Sequence, residues 1–143
     1  MKLKTIEIKK TDYAKLNSRQ QERFNYQKAS AILADYGFAT YKLDDDWKGA
    51  DFIAQHINLE IYLKVQLKSR LAFDKKYLGK EIYVMFRDDE RWYLYPLDEL
   101  LEIVSKKHNL KNTGSWNRSK DGGGYNFPSL SKEIRRSMAE YEI

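Results

Sequence analysis

The sequence predicts an α+β fold, an α/β arrangement in which a mixed central β-sheet of about four to five strands is flanked by helices. Three observations predict it. One long segment, 18–36, has helical period. A succession of short segments between 38 and 95 alternates apolar and polar residues. The 143-residue chain carries no repeat, low-complexity tract or Pro/Ser linker that would divide it. One domain, 1–143, is expected, with its core at about 18–108 and a C-terminal basic loop and helix at 109–143.

Each element has its own signal. The element order leaves room for one strand ahead of the first helix. Ser18 and Gln21 match the capping-box pattern, and Gly37 stands where a left-handed C-terminal cap is expected. Between them Glu22, Tyr26, Ala29 and Leu33 form an inward stripe at helical spacing, with Asn25, Ile32 and Tyr36 beside it. After Gly37 the period falls to two. Phe38 to Leu43 reads as a strand, Asp44 to Asp46 as a polar turn, and Ala50 to Gln55 as a second strand. The clearest strand is Glu60 to Ser69, with Ile61, Leu63, Val65 and Leu67 on one face. Tyr62, Lys64, Gln66, Lys68 and Arg70 occupy the other, Tyr62 as a packing residue. Glu81 to Phe86 and Arg91 to Tyr95 read as two further strands around an Asp-Asp turn, with Trp92, Tyr93 and Tyr95 packing in or beside the sheet. Pro96 then opens a helix running to about His108, Thr113 to Asn126 is a long loop, and a final helix covers Leu130 to Tyr141.

Composition narrows the chemistry. There is no cysteine, hence no disulfide scaffold, thiolate metal site or cysteine nucleophile. The two histidines, His56 and His108, are too few and too distant for a histidine zinc site. Charged residues make up 33% of the chain and mean hydropathy is −0.75, so no stretch approaches a membrane span. The N-terminus has basic residues but no apolar run of a secretory signal, and a cytoplasmic protein is expected. Net charge is +5, and its distribution says more than its size. From Ser105 to Arg136 eight Lys/Arg face only Asp121 and Glu133, and from Leu63 to Lys80 six face only Asp74. Basic segments with aromatics between them suit a polyphosphate partner, while ordinary solvated surface explains the same charges equally well.

One constellation carries chemistry. Gln66 and Lys68, two apart on a strand, point the same way, and Asp51 lies just upstream in Gly49-Ala50-Asp51-Phe52-Ile53-Ala54. An acid on one strand with an oxygen ligand and a lysine on the next suits metal-assisted phosphodiester hydrolysis. The hard cation Mg²⁺ takes one or two carboxylates, other oxygens and waters, and a nearby ammonium steadies the developing negative charge. Glu22, on the inward stripe of the helix, supplies a further acid, and Asp46 is a reserve. The plainer readings stand beside these: Gln66 and Lys68 as an amphipathic strand face, Asp51 as a turn residue, Glu22 as a surface acid.

The run from Ser18 to Ser69 resembles the PD-(D/E)XK nuclease-like superfamily, which includes restriction endonucleases and Holliday-junction resolvases. The matching residues are Glu22, Tyr36-Gly37-Phe38, Gly49-Ala50-Asp51-Phe52-Ile53-Ala54 and Leu63-Lys64-Val65-Gln66-Leu67-Lys68-Ser69-Arg70. The resemblance implies a restriction-endonuclease-like core and a Mg²⁺- or Mn²⁺-dependent endonuclease, a hydrolase acting on DNA more than RNA. Asp51 would be the metal ligand, Gln66 would take the Asp/Glu position in a Q-x-K variant, and Lys68 would be the catalytic lysine. The backbone carbonyl of Leu67 and, through water, Glu22 would complete the metal site. Ala50 replaces the name-giving proline, which does no chemistry. Gln66 brings an oxygen without negative charge, and Gln27 lies nearer than Glu22 to the family's usual spacing for the helix acid.

The basic segments supply the expected phosphate contacts: Arg70, Lys75, Lys76, Arg118 and Lys120, with Lys64 either a contact or plain surface. Trp116 and Tyr125 flank Arg118, Lys120 and Gly122-Gly123-Gly124, whose backbone amides are candidates for approaching phosphates. A homodimer is expected if both strands of a duplex are cut. The alternative to the enzyme is the same fold with weakened metal affinity, acting as a module that binds nucleic acid or a protein partner.

Overall fold

The structure, a computed structural model, describes residues 1–120 and 122–143, without the side chains of Asp46 and Trp47. The expectations for Asp46 as a reserve acid and for Asp121 as a C-terminal acid therefore lie outside the described residues. The fold is a mixed five-stranded sheet with helices on both faces.

The N-terminal residues form a small hairpin, β1 (Lys2–Leu3) and β2 (Ile6–Glu7), two strands where one was allowed for. Helix α1 spans Ser18–Asp35. Its capping box is built one residue earlier than expected. Asn17 Oδ1 accepts from Gln20 N–H at 2.9 Å, and Gln20 Oε1 accepts from Asn17 N–H at 3.0 Å. Asparagine caps as well as serine, and Gln20 stands at the required third position after it. The helix stops at Gly37, whose φ of 82° is left-handed as expected. A Cβ there would lie 2.8 Å from the His56 ring.

The main sheet has the order β3 (Phe38–Trp47), β4 (Ala50–His56), β5 (Tyr62–Lys68), β7 (Ile82–Asp88), β8 (Arg91–Pro96). All neighbours are antiparallel except β5 and β7, which run parallel. Strand β3 continues through Asp44–Asp46 where a turn was expected, with a register shift between Lys42 and Trp47. The chain turns instead at Lys48 and Gly49, with φ of 54° and 90°. Only at Gly49 does the backbone come so near Tyr77 that a Cβ would lie 2.5 Å from its ring. Between β5 and β7 a short strand, β6 (Ala72–Asp74), pairs with β9 (Gly124–Asn126), which emerges from the expected loop.

Two apolar layers cover the two faces. On one, Ala29 and Leu33 of α1 pack against Phe52, Ala54, Leu63, Val65 and Met85. On the other, α2 (Leu97–Ser105) buries Leu97, Leu100, Leu101 and Val104 against Ile82, Val84, Phe86, Tyr93 and Tyr95. Pro96 caps α2 from an extended conformation and does not belong to it. The last helix, α3 (Lys132–Ser137), is shorter than expected, and a separate tight turn, Ala139–Tyr141, follows. Trp92, Tyr93 and Tyr95 are buried as expected. Tyr62 is not: it is exposed at the open end of β5. No helix among the described residues is long and apolar enough to cross a membrane.

Candidate functional site

Strands β4 and β5 pair with Phe52 opposite Val65, and one further step along that antiparallel register sets Asp51 opposite Gln66. Directly opposite residues share a face. At this end of the sheet Asp51 closes the pairing with its side chain: Oδ2 accepts from the backbone N–H of Leu67 at 2.7 Å. That bond fixes the carboxylate against β5, one residue from Lys68.

A cavity of 280 Å³ opens beside it, lined by Glu22, Tyr26, Lys42, Asp51 and Leu67. A second, of 190 Å³, shares Glu22 and Leu67 and adds Lys68, Ser69, Asn25 and Tyr13. The two adjoin along Leu67 and Glu22. Helix and hairpin, separate in sequence, thus bring Glu22, Asp51, Leu67 and Lys68 to one concave end of the sheet. Gln27 is exposed and lines neither cavity.

Gln66 lies one layer deeper. It is the buried polar side chain among the described residues, 6% exposed, beside Val84 of β7 in the parallel register. Lys68 points along the same face and forms an ion pair with Asp74, Nζ to Oδ2 at 2.8 Å, both side chains under one-third exposed. Asp74, counted in the sequence only as the one acid of a basic segment, was not assigned to the site, since it lies on a strand, β6, that no alternation announces. Its position rests on two further devices. The buried hydroxyl of Tyr95 donates to the carbonyl of Ala72 at 3.0 Å, tying β6 to β8. Burial raises the pKa of that hydroxyl well above its ordinary value and keeps it a donor. Across the β6–β9 pair Asp74 stands opposite Gly124, where a Cβ would lie 2.3 Å from the Phe73 carbonyl and 2.9 Å from Asp74 Oδ1.

That contact assigns the glycine run a different part from the expected one. Gly124 N–H donates to the Ser115 carbonyl at 3.2 Å, and Gly122 N–H to Ser119 Oγ at 2.8 Å, so both amides serve the loop itself. Trp116, which flanks this loop's basic residues, is buried, with the Lys75 ammonium 5.3 Å from its ring. Tyr125 packs on His108 and Phe127.

Lys42 is a second residue the sequence did not single out. Its ammonium lies 3.9 Å from Glu22 Oε1 and 5.5 Å from the Tyr26 ring centre. Helical and strand periods place Glu22 and Lys42 on facing surfaces, but only the packing of α1 on β3 makes them neighbours. Among the described residues no three histidine or acidic side chains group to hold a metal. The oxygens on offer are the carboxylates of Asp51 and Glu22 and the Leu67 carbonyl, a hard-donor set of the kind Mg²⁺ accepts when waters complete its shell.

Of the expected phosphate contacts, Lys75, Lys76 and Lys120 line one groove of 510 Å³ together with Lys80. Lys64 donates to the Lys80 carbonyl. Arg70 and Arg118 are exposed and line no part of that groove.

No protein-family model matches the chain, and no curated protein matches it in sequence. Two solved structures are similar to it. One is Hjc, a Holliday junction resolvase from the archaeal hyperthermophile Archaeoglobus fulgidus, 15% identical over 73% of this chain and 85% of that one, with a TM-score of 0.44. The other is a bacterial homing endonuclease, I-Ssp6803I, 18% identical over 89% of this chain and 88% of that one, with a TM-score of 0.46.

Proposed function

We propose that the chain is a metal-dependent nuclease that hydrolyses phosphodiester bonds of DNA. The observation that carries this reading is the meeting of Glu22, Asp51, Leu67 and Lys68 around two adjoining cavities at one end of the sheet. The resemblance of 18–69 to the PD-(D/E)XK superfamily agrees with it.

In this reading Asp51, the Gln66 amide oxygen, the Leu67 carbonyl and, through water, Glu22 would hold Mg²⁺ or Mn²⁺. The ion, when bound, polarises the phosphoryl group. Asp51 is held for the task by its bond to Leu67 N–H. Lys68 presents its ammonium to the negative charge that develops on the phosphoryl oxygens, and a fixed cation in a partly water-excluded site is worth more there than in bulk water. Asp74 is a positioning residue: its ion pair holds the lysine aimed. Lys75, Lys76, Lys80 and Lys120 track the phosphate backbone beside the cleft.

The test incubates purified protein with supercoiled plasmid in Mg²⁺ or Mn²⁺, with EDTA as the control. Nicking that requires the ion and falls by at least about a hundredfold in Lys68→Ala and in Asp51→Asn supports the reading; that magnitude is typical of losing one transition-state donor. A second reading, a nucleic-acid- or partner-binding module on the same fold, is favoured by the neutral Gln66 and the absence of a three-acid cluster among the described residues. It wins if neither wild type nor variant cuts plasmid that both retard in a gel shift.

A further inference from the structure

At the end of the sheet opposite the cleft lies a groove of 540 Å³ between the starts of β5 and β7 and the start of α2. Its exposed acids are Glu60, Glu81, Asp98 and Glu99, four against the single cation Lys64, whose ammonium donates to the Lys80 carbonyl, and Ile61 and Tyr62 add apolar surface. Just before it in the chain, Ile57 and Leu59 are exposed as well. An acidic groove with apolar walls is the wrong surface for a phosphate backbone. It suits a peptide segment that is both basic and apolar.

The chain carries such a segment. In the β1–β2 hairpin Leu3 stands opposite Ile6, and the next step of the ladder, where Ile8 N–H donates to the Met1 carbonyl, sets Met1 opposite Ile8. These four side chains therefore share one face, and all four are exposed. Lys2, Lys4, Lys9 and Lys10 fall within the same ten residues, against the single acid Glu7. A two-stranded hairpin is at best marginal in water unless its apolar face is covered. Contact with DNA would use the lysines and leave the apolar face wet. From the hairpin the chain runs to Tyr13, beside Lys68 and Ser69 at the far end of β5 from the acidic groove.

We propose that this hairpin docks in the acidic groove of a second copy of the chain. The hairpin's tether at Tyr13 and the groove lie at opposite ends of β5, so two copies side by side and antiparallel can each offer a hairpin to the other's groove. The exchange is reciprocal and closes as a twofold dimer. It stands independently of the nuclease reading.

The test is mass in solution, by light scattering or sedimentation, on the full chain. Two variants reverse one surface each: Lys4→Glu/Lys9→Glu/Lys10→Glu on the hairpin and Glu60→Lys/Glu81→Lys on the groove. Wild type should weigh two chains and dissociate as salt rises, and each variant alone should weigh one. An equimolar mixture should recover the mass of two, because each reversed hairpin then meets a groove of opposite sign. That rescue requires both variants to be folded. Ile6→Asp should give a monomer that the groove variant does not rescue. A wild type that stays monomeric up to about 1 mM, the limit of weak association, overturns the proposal. A dimer unmoved by either reversal, or two monomeric variants that fail to pair, overturns it too. Plasmid cleavage is read separately, so either idea can fail alone.

Discussion

Tyr95 shows how a buried side chain outside the candidate cleft is coupled to it. Its hydroxyl donates to the Ala72 carbonyl and so holds the strand that carries Asp74, the partner of Lys68. In Tyr95→Phe that carbonyl loses its donor, which should lower unfolding free energy by about 1–3 kcal/mol. The same residue has a pH signature. Burial raises its pKa above the ordinary 10.0. An unfolded tyrosine loses its proton above about pH 10 while the folded one keeps it. The unfolded state then binds fewer protons, so this contribution to stability is complete below about pH 10 and falls as pH rises beyond it, by up to about 1.4 kcal/mol per unit. Urea unfolding of wild type and Tyr95→Phe on either side of that value should show a smaller alkaline loss in the variant. At this scale Asp51, Lys68 and Glu22 were legible, since a lone acid before a Q-x-K strand and an acid on an inward helical stripe are local patterns. Asp74 and Lys42 were not, because their partners lie on other elements.

Among the elements, α1 and the β4–β5 hairpin announce themselves by period, whereas β6 and β9 do not. Each has three residues, too few for alternation to register, and each becomes a strand only by pairing with the other. Gly124 is needed for that pair. A methyl group there would press on the Phe73 carbonyl and on the Asp74 carboxylate together. Gly124→Ala should therefore destabilise the protein by about 1–3 kcal/mol, as overpacking does. It should also lower any plasmid-nicking rate measured well below the melting temperature. Gly79→Ala, with open space around its Cβ but a φ of 71°, is the control for backbone strain without displacement of Asp74. Nicking at the wild-type rate in a folded Gly124→Ala variant would detach Asp74 from the site.

Over the whole molecule, charge is sorted by position. Lys75, Lys76, Lys80 and Lys120 gather in one groove, and Glu60, Glu81, Asp98 and Glu99 in another. A net charge of +5 reveals none of this. If the basic groove tracks a duplex, each lysine that neutralises a phosphate adds roughly 0.9 to the slope of log affinity against log salt. Replacing all four by Ala should flatten the slope by about 3–4 and weaken binding alike on unrelated sequences, as fluorescence anisotropy at graded salt would report. An unchanged slope would move the phosphate contacts elsewhere.

Period, capping and turn chemistry, all properties of neighbouring residues, were enough to determine the α+β class, the first helix and its glycine stop, the central strands, and the placing of Asp51, Gln66 and Lys68 near one another. Tertiary structure alone decided that Lys68 pairs with Asp74, that Gln66 is buried, that the glycine loop packs against β6, and that Lys120 joins lysines some forty positions earlier. The physical reason is range. A backbone period is written within a few residues, but an ion pair, a buried amide or a shared groove depends on which distant surfaces the sheet brings together.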